Sequence, residues 1–367
     1  MRHLLLVPLA CLAATCALSQ ESAPPVRLAI VGLAHDHVRG FLPQLHGRTD
    51  VELVGIVESN PELVAQIAER YHLEAKLFYP SLEALCAQTK VQAVAAFTST
   101  FDHRRVVELC AARGIHVMME KPLAVNLDDA RAIAAAARKG GIQLIVNYET
   151  TWYQSTHSAY DLVQRQHAIG DVRKIVVRDG HSGPAQICSP WFLSWLTDPV
   201  LDGGGAVMDF GCYGADLATW LMAGQRPTSV TAVLQHFQPE TYPKVDDEAT
   251  IVLTYPRAQA IIEASWNWPH GRKDMEVYGQ GGSVRLPDGK TLYLRGKDGP
   301  ERRVDLPALL GPATDSISWL AAIVRGQVKS DGLGSLDVNL IVSEILDAAK
   351  ESARTGRRID LPGKPPW

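Results

Sequence analysis

Hydrophobic positions between residues 26 and 147 alternate between two patterns. Short runs that are almost entirely apolar, such as 26–31 and 93–99, are separated by stretches in which apolar residues recur every three or four positions, such as 61–71. Continuous apolar runs are typical of parallel strands buried on both faces, whereas the longer period is typical of helices packed on a sheet. The alternation predicts a doubly wound parallel sheet.

The same pattern places the individual elements of this half. We predict strands at 26–31, 51–59, 93–99, 115–122 and 142–149, and helices that begin near residues 38, 61, 81, 102 and 128. The predicted fold class is therefore α/β, with an N-terminal dinucleotide-binding Rossmann domain over residues 26–147.

Beyond residue 150 the pattern favours strands that follow one another without intervening helices. They are predicted at 172–180, 228–237, 248–255, 259–268 and 282–287. This predicts an α+β domain with a large, mostly antiparallel sheet that has one face on helices and the other open. We assign residues 148–312 to this α+β domain, and 313–367 to C-terminal helices and a tail that pack on the body.

The first residues predict export rather than structure. Arg2 and His3 precede the apolar run Leu4–Leu18, and Ala17 to Ser19 supply the small residues that a signal peptidase accepts. This predicts a signal peptide at 1–19 and a periplasmic or secreted protein without an integral membrane span after cleavage. A short membrane anchor is the alternative, but about 15 apolar residues are too few to span comfortably. Whether Cys11 or Cys16 in this segment carries a lipid stays open.

Composition excludes some classes of function. The formal net charge is −4, so no basic excess indicates nucleic acid as a partner. The cysteines that remain after the predicted cleavage form no C-x-x-C pair, which argues against a zinc knuckle. Their pairing in an exported protein stays open; they are Cys86, Cys110, Cys188 and Cys212.

The loop after the first strand only partly matches a dinucleotide-binding motif. Gly32 holds the first position of Gly-x-Gly-x-x-Gly, but Ala34 and His37 replace the other two glycines. Gly32 permits the tight turn, and backbone N–H groups at the helix start can still bind a phosphate. Alone, the loop could equally be a turn that binds nothing.

The end of the second strand favours cofactor binding. Glu58 lies 26 residues after Gly32, close to the distance at which an acidic residue accepts hydrogen bonds from the adenosine ribose. A carboxylate there repels a 2′-phosphate, so the predicted cofactor is NAD, with NADP the lesser choice. The alternative is a simple surface acid.

Two further stretches carry a family resemblance. A strand delivers Glu-Lys-Pro in 116-HVMMEKPLA-124, and a glycine run leads into a helix in 203-GGGAVMDFGCYGADLATWL-221. In this order they resemble the Gfo/Idh/MocA oxidoreductases, named for glucose–fructose oxidoreductase and inositol dehydrogenase. The stretches 246–255 and 275–284 also fit that family's second domain.

The resemblance implies an NAD-dependent oxidoreductase that acts on a hydroxyl of a sugar, sugar derivative or cyclitol. Lys121 is the predicted group that stabilises a developing alkoxide, and burial beside the cofactor should lower its pKa. Asp209 and Tyr213, at i and i+4, complete the predicted catalytic set. The family usually has histidine where this chain has Tyr213, so which group takes the proton stays open. Capping by Asp209 and packing by Tyr213 are the alternative roles.

Further site residues are predicted from their places in these segments. The predicted cofactor-binding residues are Gly32, Ala34, His35, His37, Glu58, Thr98, Ser99, His103, Glu120 and Lys121. The predicted substrate-binding residues are Lys121, Trp152, His181, Trp191, Asp209 and Tyr213, with Trp195 a further aromatic candidate. The His35–His37 pair could bind a metal, but we predict phosphate or substrate contact and no metal, with structural capping of the loop as the remaining alternative.

Export raises the question of how the cofactor is supplied. Free NAD is scarce outside the cytoplasm, so we expect a tightly held cofactor and a closed redox cycle that gives net glycoside cleavage or epimerisation. The alternative is a secreted carbohydrate-binding protein without hydride transfer, which Ala34, His37 and Tyr213 would permit. The family resemblance also implies a homo-oligomer paired through the open sheet.

Overall fold

The computed structural model describes residues 23–363 as two sheets joined through one interior. The predicted signal peptide lies outside the described residues. A single core cluster includes Val117 of the first sheet and Ile262 of the second. Because this core is continuous, the carboxyl edge of the first sheet has a defined position against the second. The proposed domain limits at 147/148 and 312/313 stay predictions.

The first sheet has six parallel strands in the order β3-β2-β1-β4-β5-β6. They are β1 (Val26–Val31), β2 (Val51–Val57), β3 (Phe78–Tyr79), β4 (Ala93–Ala96), β5 (His116–Glu120) and β6 (Leu144–Asn147). The predicted Rossmann-type sheet is confirmed. Strand β3 was missed because two residues are too short to show a period. The strand order reverses beside β1, which is where ligands of such sheets bind.

The predicted helices of this half are all present. They are α1 (Val38–Gln44), α2 (Pro61–Tyr71), α3 (Leu82–Gln88), α4 (His103–Ala111) and α5 (Leu127–Gly140). Short polar side chains cap several of them: Asn60 accepts the Glu62 amide at 2.9 Å, and Asn126 accepts the Asp129 amide at 2.8 Å. Such caps satisfy backbone N–H groups that lack a partner within the helix.

The second sheet has nine strands in the order β14-β13-β12-β11-β7-β10-β9-β8-β15. They are β7 (Val172–Gly180), β8 (Ser229–Gln235), β9 (Glu248–Thr254), β10 (Gln259–Ser265), β11 (Arg272–Gly279), β12 (Gly282–Asp288), β13 (Thr291–Gly296), β14 (Arg302–Arg303) and β15 (Ile359–Asp360). Only β7 and β10 pair in parallel. The predicted mostly antiparallel sheet is confirmed.

The expectation of strands without intervening helices is wrong after β7. Helices α7 (Pro190–Leu196), α8 (Ala206–Asp209) and α9 (Gly211–Leu221) separate β7 from β8. The antiparallel order β8-β9-β10 and the parallel pair β7–β10 make β7 and β8 parallel, and parallel strands require a crossover connection. That crossover carries Asp209 and Tyr213.

Helices cover one face of the second sheet. Helix α6 (Gln154–Tyr160) contacts β12 and β13, α9 contacts β7 and β10, and α11 (Leu336–Thr355) contacts β8, while α10 (Ser316–Val324) precedes α11. On the other face Val233 and Tyr278 are exposed. Among the described residues, no helix combines the length and apolar character needed to cross a membrane.

Candidate active site

A cavity of about 710 Å³ lies between the carboxyl edge of the first sheet and the second sheet. Its volume is in the range typical of small-molecule sites. Four residues singled out from the sequence line it together: Lys121, His181, Asp209 and Tyr213. They come from β5, the end of β7 and the crossover helices, so only the tertiary fold brings them together.

Lys121 and Asp209 form a buried ion pair. The Lys121 ammonium donates to the Asp209 carbonyl oxygen at 3.0 Å and makes a short contact with Asp209 Oδ1. The residues are 6% and 5% exposed. The second carboxylate oxygen accepts the indole N–H of Trp266 at 2.9 Å. Trp266 thereby orients Asp209, a role that no local signal in the sequence indicates.

The pair determines the charge of both groups. Burial is the largest single influence on the pKa of Lys121 and lowers it, but Asp209 together with Cys212 and Asp202 raises the pKa of Lys121 above its ordinary value. Burial raises the pKa of Asp209, but Lys121 together with His181 and the Trp266 N–H lowers it below its ordinary value. The groups around Lys121 in the folded protein therefore raise its pKa, whereas we predicted that burial beside the cofactor would lower it. The cavity contains an ammonium donor, which suits an oxygen that gains negative charge.

Tyr213 lies between two ammonium groups but keeps its proton. Its ring centre is 5.4 Å from Lys121 Nζ and 4.7 Å from Lys273 Nζ. Burial, with Glu149 nearby, raises the pKa of Tyr213 well above its ordinary value. The phenol is therefore a hydrogen-bond donor in this cavity rather than a ready proton acceptor. The predicted single helix is divided at Phe210, yet Asp209 and Tyr213 still line one cavity.

His181 faces the cavity as a neutral donor. Its Nδ1 accepts the Gly183 N–H at 3.0 Å, so the neutral ring carries its proton on Nε2. Burial lowers the pKa of His181 and outweighs the opposing charge of Asp209. A neutral imidazole of this tautomer can polarise a carbonyl oxygen without exchanging a proton.

We expect His181 to keep this tautomer over the neutral and alkaline pH range, because burial lowers its pKa and protonating Nδ1 would displace the Gly183 N–H. Long-range proton–nitrogen spectra of the ¹⁵N-labelled protein report which ring nitrogen is protonated, and His181→Gln identifies the signals by their loss. A titration of Nδ1 within this range would contradict the assignment.

The predicted cofactor loop borders a separate groove of about 420 Å³. Five of the predicted cofactor residues line it: Gly32, Ala34, Glu58, Thr98 and Ser99. Glu58 accepts the Leu33 N–H at 2.9 Å and the Asn60 N–H at 2.8 Å, which fixes its carboxylate at the end of β2. A Cβ at Gly32 would lie 2.6 Å from Thr98, so only glycine fits this close approach of the loop to the end of β4. These residues fit a dinucleotide.

The other predicted cofactor residues lie outside this groove. Lys121 and His37 line the catalytic cavity, and Glu120 accepts from His37 Nδ1 at 2.9 Å. His35 is buried behind the loop. His103 lies under the loop that follows β5, where its Nδ1 donates to the Pro122 carbonyl at 3.1 Å. His35 and His103 therefore support the two loops from behind, which corrects their predicted contact with the cofactor.

His35, His37 and Glu120 place three possible metal-ligand atoms within 4.8 Å of one another. However, His35 Nδ1 accepts the His37 N–H at 3.2 Å, so Nε2 of the neutral ring carries a proton rather than a free lone pair. Metal-binding histidines normally donate their second nitrogen. Burial raises the pKa of Glu120, but His37 outweighs this and lowers it, so the carboxylate stays ionised. The arrangement suits a hydrogen-bonded carboxylate better than a metal site.

The aromatic substrate candidates lie elsewhere than predicted. Trp191 and Trp195 of α7 line the cofactor groove, and Trp152 does not line the catalytic cavity. Two contacts hold α7 across the cofactor loop: Asp36 accepts the Ser189 N–H at 2.6 Å, and Trp195 donates to the Ala34 carbonyl at 3.4 Å. Helix α7 therefore closes one side of the cofactor groove.

Asp179 is a buried carboxyl group that the sequence did not reveal. It is 1% exposed, and neither carboxyl oxygen has a hydrogen-bond partner within residues 23–363. Burial raises the pKa of Asp179 to about 8, although Lys273, its partner on β11, opposes this. At neutral pH Asp179 therefore carries a proton beside the cavity.

This carboxyl group should make stability depend on pH. Between the ordinary pKa of 3.8 and about 8, the native chain keeps a proton that the unfolded chain has released. Rising pH therefore lowers the free energy of unfolding across this window, by up to about 1.4 kcal/mol per pH unit. We expect Asp179→Asn to match the wild type in thermal stability near pH 4 and to exceed it at pH 9. The exposed Asp298→Asn is the control, and parallel pH curves for wild type and Asp179→Asn would contradict the assignment.

Comparison with known proteins identifies both halves of the chain. Residues 26–148 match the family model described as "Oxidoreductase family, NAD-binding Rossmann fold". Residues 156–285 match the model described as "GFO/IDH/MocA C-terminal domain". The two matches fall on the two sheets described above.

Similar proteins include dehydrogenases of small hydroxyl compounds. D-apiose dehydrogenase of Rhizobium rhizogenes is 25% identical over 340 residues, covering 87% of this chain and 93% of the relative. Trans-1,2-dihydrobenzene-1,2-diol dehydrogenase of Xenopus tropicalis is 26% identical over 312 residues, covering 82% of this chain and 89% of the relative.

Solved structures with the same architecture include the aldose-aldose oxidoreductase from Caulobacter crescentus complexed with glycerol. It is 25% identical, has a TM-score of 0.78, and the match covers 92% of this chain and 100% of that one. An inositol dehydrogenase homolog complexed with NAD+ from Azotobacter vinelandii has a TM-score of 0.80 at 19% identity. The match covers 92% of this chain and 98% of that one, and at this identity it shows the fold alone.

Proposed function

The chain belongs to the Gfo/Idh/MocA family of NAD-binding oxidoreductases, and from this premise we propose that it transfers a hydride between NAD(H) and a hydroxyl-bearing carbon of a sugar, sugar derivative or cyclitol. The observation that carries this proposal is the buried Lys121–Asp209 pair in a cavity next to the cofactor groove. The family membership confirms the predicted class of enzyme.

The cavity-lining groups suit an oxygen that gains negative charge. When bound, NAD(H) supplies or accepts the hydride. The protein has to orient the reacting carbon and manage the proton. Lys121, Tyr213 and His181 each present a donor, so they stabilise the alkoxide. In reduction the Lys121 ammonium gives a proton to this oxygen and becomes a neutral amine. Oxidation is the reverse step, so it begins from the neutral amine, which then takes up the hydroxyl proton.

We propose NAD rather than NADP on the strength of Glu58. Its carboxylate is fixed by two backbone N–H groups and lines the groove, where it can accept hydrogen bonds from ribose hydroxyls and repel a 2′-phosphate. We expect Glu58→Ala to weaken NAD binding by about 10- to 100-fold, the usual range for a hydrogen bond to a charged group, and to weaken NADP binding less.

The measurement is the Kd of each nucleotide by calorimetry. Glu62→Gln, at an exposed position in the first turn of α2, is the matched control and should leave both affinities unchanged. Equal loss of affinity for both nucleotides in Glu58→Ala would remove the basis for the NAD preference.

We further propose that the protein is exported and keeps its cofactor through a closed redox cycle, with net glycoside cleavage or epimerisation. The N-terminal residues 1–19 support export. Helix α7 across the cofactor loop supports slow cofactor release. The open face of the second sheet supports a homo-oligomer, and sedimentation of the purified protein tests this.

The first experiment is to purify residues 20–367, denature the protein and identify the released small molecules by mass spectrometry. We expect nearly one NAD(H) per chain. The absence of NAD(H), together with no thermal shift on adding NAD or NADP, would overturn the oxidoreductase proposal. The loaded protein is then incubated with aldoses, methyl glycosides and myo-inositol, and the products are identified.

A further inference from the structure

A third cavity, of about 520 Å³, has five aromatic side chains in its lining. None of its lining residues lines the catalytic cavity or the cofactor groove. We call it the aromatic cavity. Its aromatic residues are Trp152, His157, Tyr160, Trp220 and Trp319.

Tyr160 and Trp220 form a stacked pair, the Tyr160–Trp220 platform, with ring centres 4.2 Å apart and planes 16° from parallel. Each ring covers the inner face of the other, and the Arg165 guanidinium lies over the Tyr160 ring at 5.8 Å from its centre. A ligand therefore meets the edges of the pair and the outer face of Trp220. Within the described part of the chain, the indole N–H groups of Trp220 and Trp319 have no hydrogen-bond partner. The rim carries the Arg165–Asp161 ion pair, at 2.8 Å. Flat apolar faces next to free N–H donors match a sugar ring, whose C–H faces are apolar and whose edges carry hydroxyls.

The aromatic cavity and the catalytic cavity both adjoin a further cavity of about 500 Å³. This connecting cavity shares Trp152 with the aromatic cavity and shares Asp36, His37 and Glu149 with the catalytic cavity. The three cavities are therefore neighbours in the order catalytic, connecting and aromatic, and Trp152 is the residue that the last two share. A monosaccharide needs only the first of them.

Trp152 has a fixed orientation at the boundary of the last two cavities. Its indole N–H donates to Asn147 Oδ1 at 3.0 Å, and the Asn147 amide donates to Glu120 Oε1 at 3.2 Å. The hydrogen bonds that hold Glu120 beside the catalytic cavity therefore also hold the ring on the path between cavities. This gives Trp152 a place on the substrate path, away from the reacting carbon.

We propose that the aromatic cavity binds the outer sugar units of an elongated substrate, so that the enzyme acts on a neutral oligosaccharide rather than on a free monosaccharide. This rests on the proposed sugar oxidoreductase function and names its substrate class. The reacting ring occupies the catalytic cavity, and the non-reacting units extend past Trp152 to the Tyr160–Trp220 platform.

The test compares the binding of glucose, cellotriose and maltotriose to the full mature protein by calorimetry. We expect at least one trisaccharide to bind about tenfold or more tightly than glucose, since each aromatic contact adds to the affinity. Trp319→Leu, which keeps an apolar side chain but removes the flat ring and its N–H, should abolish this gain and leave glucose binding unchanged. Tyr278→Leu, on the exposed sheet face, is the matched control and should keep the gain.

A second variant covers the case in which Trp319→Leu unfolds. Ala313→Phe places a ring into the aromatic cavity from its rim and should also abolish the gain. Two outcomes would overturn this inference but leave the proposed function standing. One is equal binding of all three sugars by the wild type, and the other is a gain in affinity that persists in folded Trp319→Leu and Ala313→Phe. A wild type that binds none of the three sugars and turns over no sugar would instead contradict the proposed function.

Discussion

Replacing Lys121 by methionine is expected to slow hydride transfer by about 10²- to 10³-fold, the usual loss when one donor to a developing oxyanion is removed. Methionine keeps most of the length of the side chain but lacks the ammonium group that donates to Asp209 and faces the cavity. Single-turnover measurement of NADH formation or consumption reports this step directly. Cofactor binding should stay within a few-fold of wild type, because Lys121 does not line the cofactor groove.

The same substitution should also destabilise the protein. It leaves the Asp209 carboxylate buried without its cation, which costs about 3–5 kcal/mol. The double variant Lys121→Met/Asp209→Asn removes the orphaned charge, so it should recover most of the stability but none of the activity. Recovery of activity together with stability would show that Lys121 acts only through folding. Wild-type turnover in the single variant would exclude Lys121 from the reaction.

Replacing Gly32 by alanine is expected to abolish NAD binding and to lower stability by about 2–5 kcal/mol, since it combines backbone strain with overpacking. Gly32 has a φ of +84°, and an added Cβ would lie 2.6 Å from Thr98 Cγ2 and 2.8 Å from the Phe97 carbonyl oxygen. To relieve these contacts, the loop has to move away from the end of β4. Its backbone then no longer lines the groove that the cofactor needs. Thermal unfolding and calorimetric titration with NAD measure the two effects.

Gly40→Ala is the matched control for this change. Gly40 lies within α1, and a Cβ there would meet no heavy atom within 4 Å. Alanine in a helix interior should stabilise the chain by about 0.5–1 kcal/mol and leave NAD binding intact. If Gly32→Ala binds NAD as tightly as Gly40→Ala does, the loop after β1 is not the cofactor site.

Much of the first sheet was predictable because its signals are local. The buried run of β1, the Asn60 cap and Pro61 at the start of α2 each depend on neighbours within a few residues. The second sheet was less predictable. Strand β11 was missed because it begins with three charged residues, Arg272, Lys273 and Asp274, none of them buried, and has buried positions only at Met275 and Val277.

Five of the ten predicted cofactor residues line the cofactor groove, whereas the protonation of the catalytic residues was not predicted. Gly32, Glu58 and Thr98 follow the ends of adjacent parallel strands, and strand ends of a parallel sheet converge at one edge. The protonation of Lys121 and Tyr213 could not be predicted, because it depends on how deeply each group is buried and on which charges lie nearby. Trp191 was assigned to the substrate because the sequence does not show which way α7 lies.

By itself, the sequence determined the alternation of strands and helices, the Rossmann half, the family motifs and the types of residue at the site. All of these depend on periodicity and on short segments. The tertiary structure decided which residues pair with one another at the site. Lys121 pairs with Asp209, 88 residues away, Asp209 is oriented by Trp266 a further 57 residues on, and the aromatic residues divide between the cofactor groove and a cavity of their own. The physical reason is that desolvation, charge pairing and cavity shape arise from groups that are distant along the chain, and only the packing of the two sheets brings those groups together.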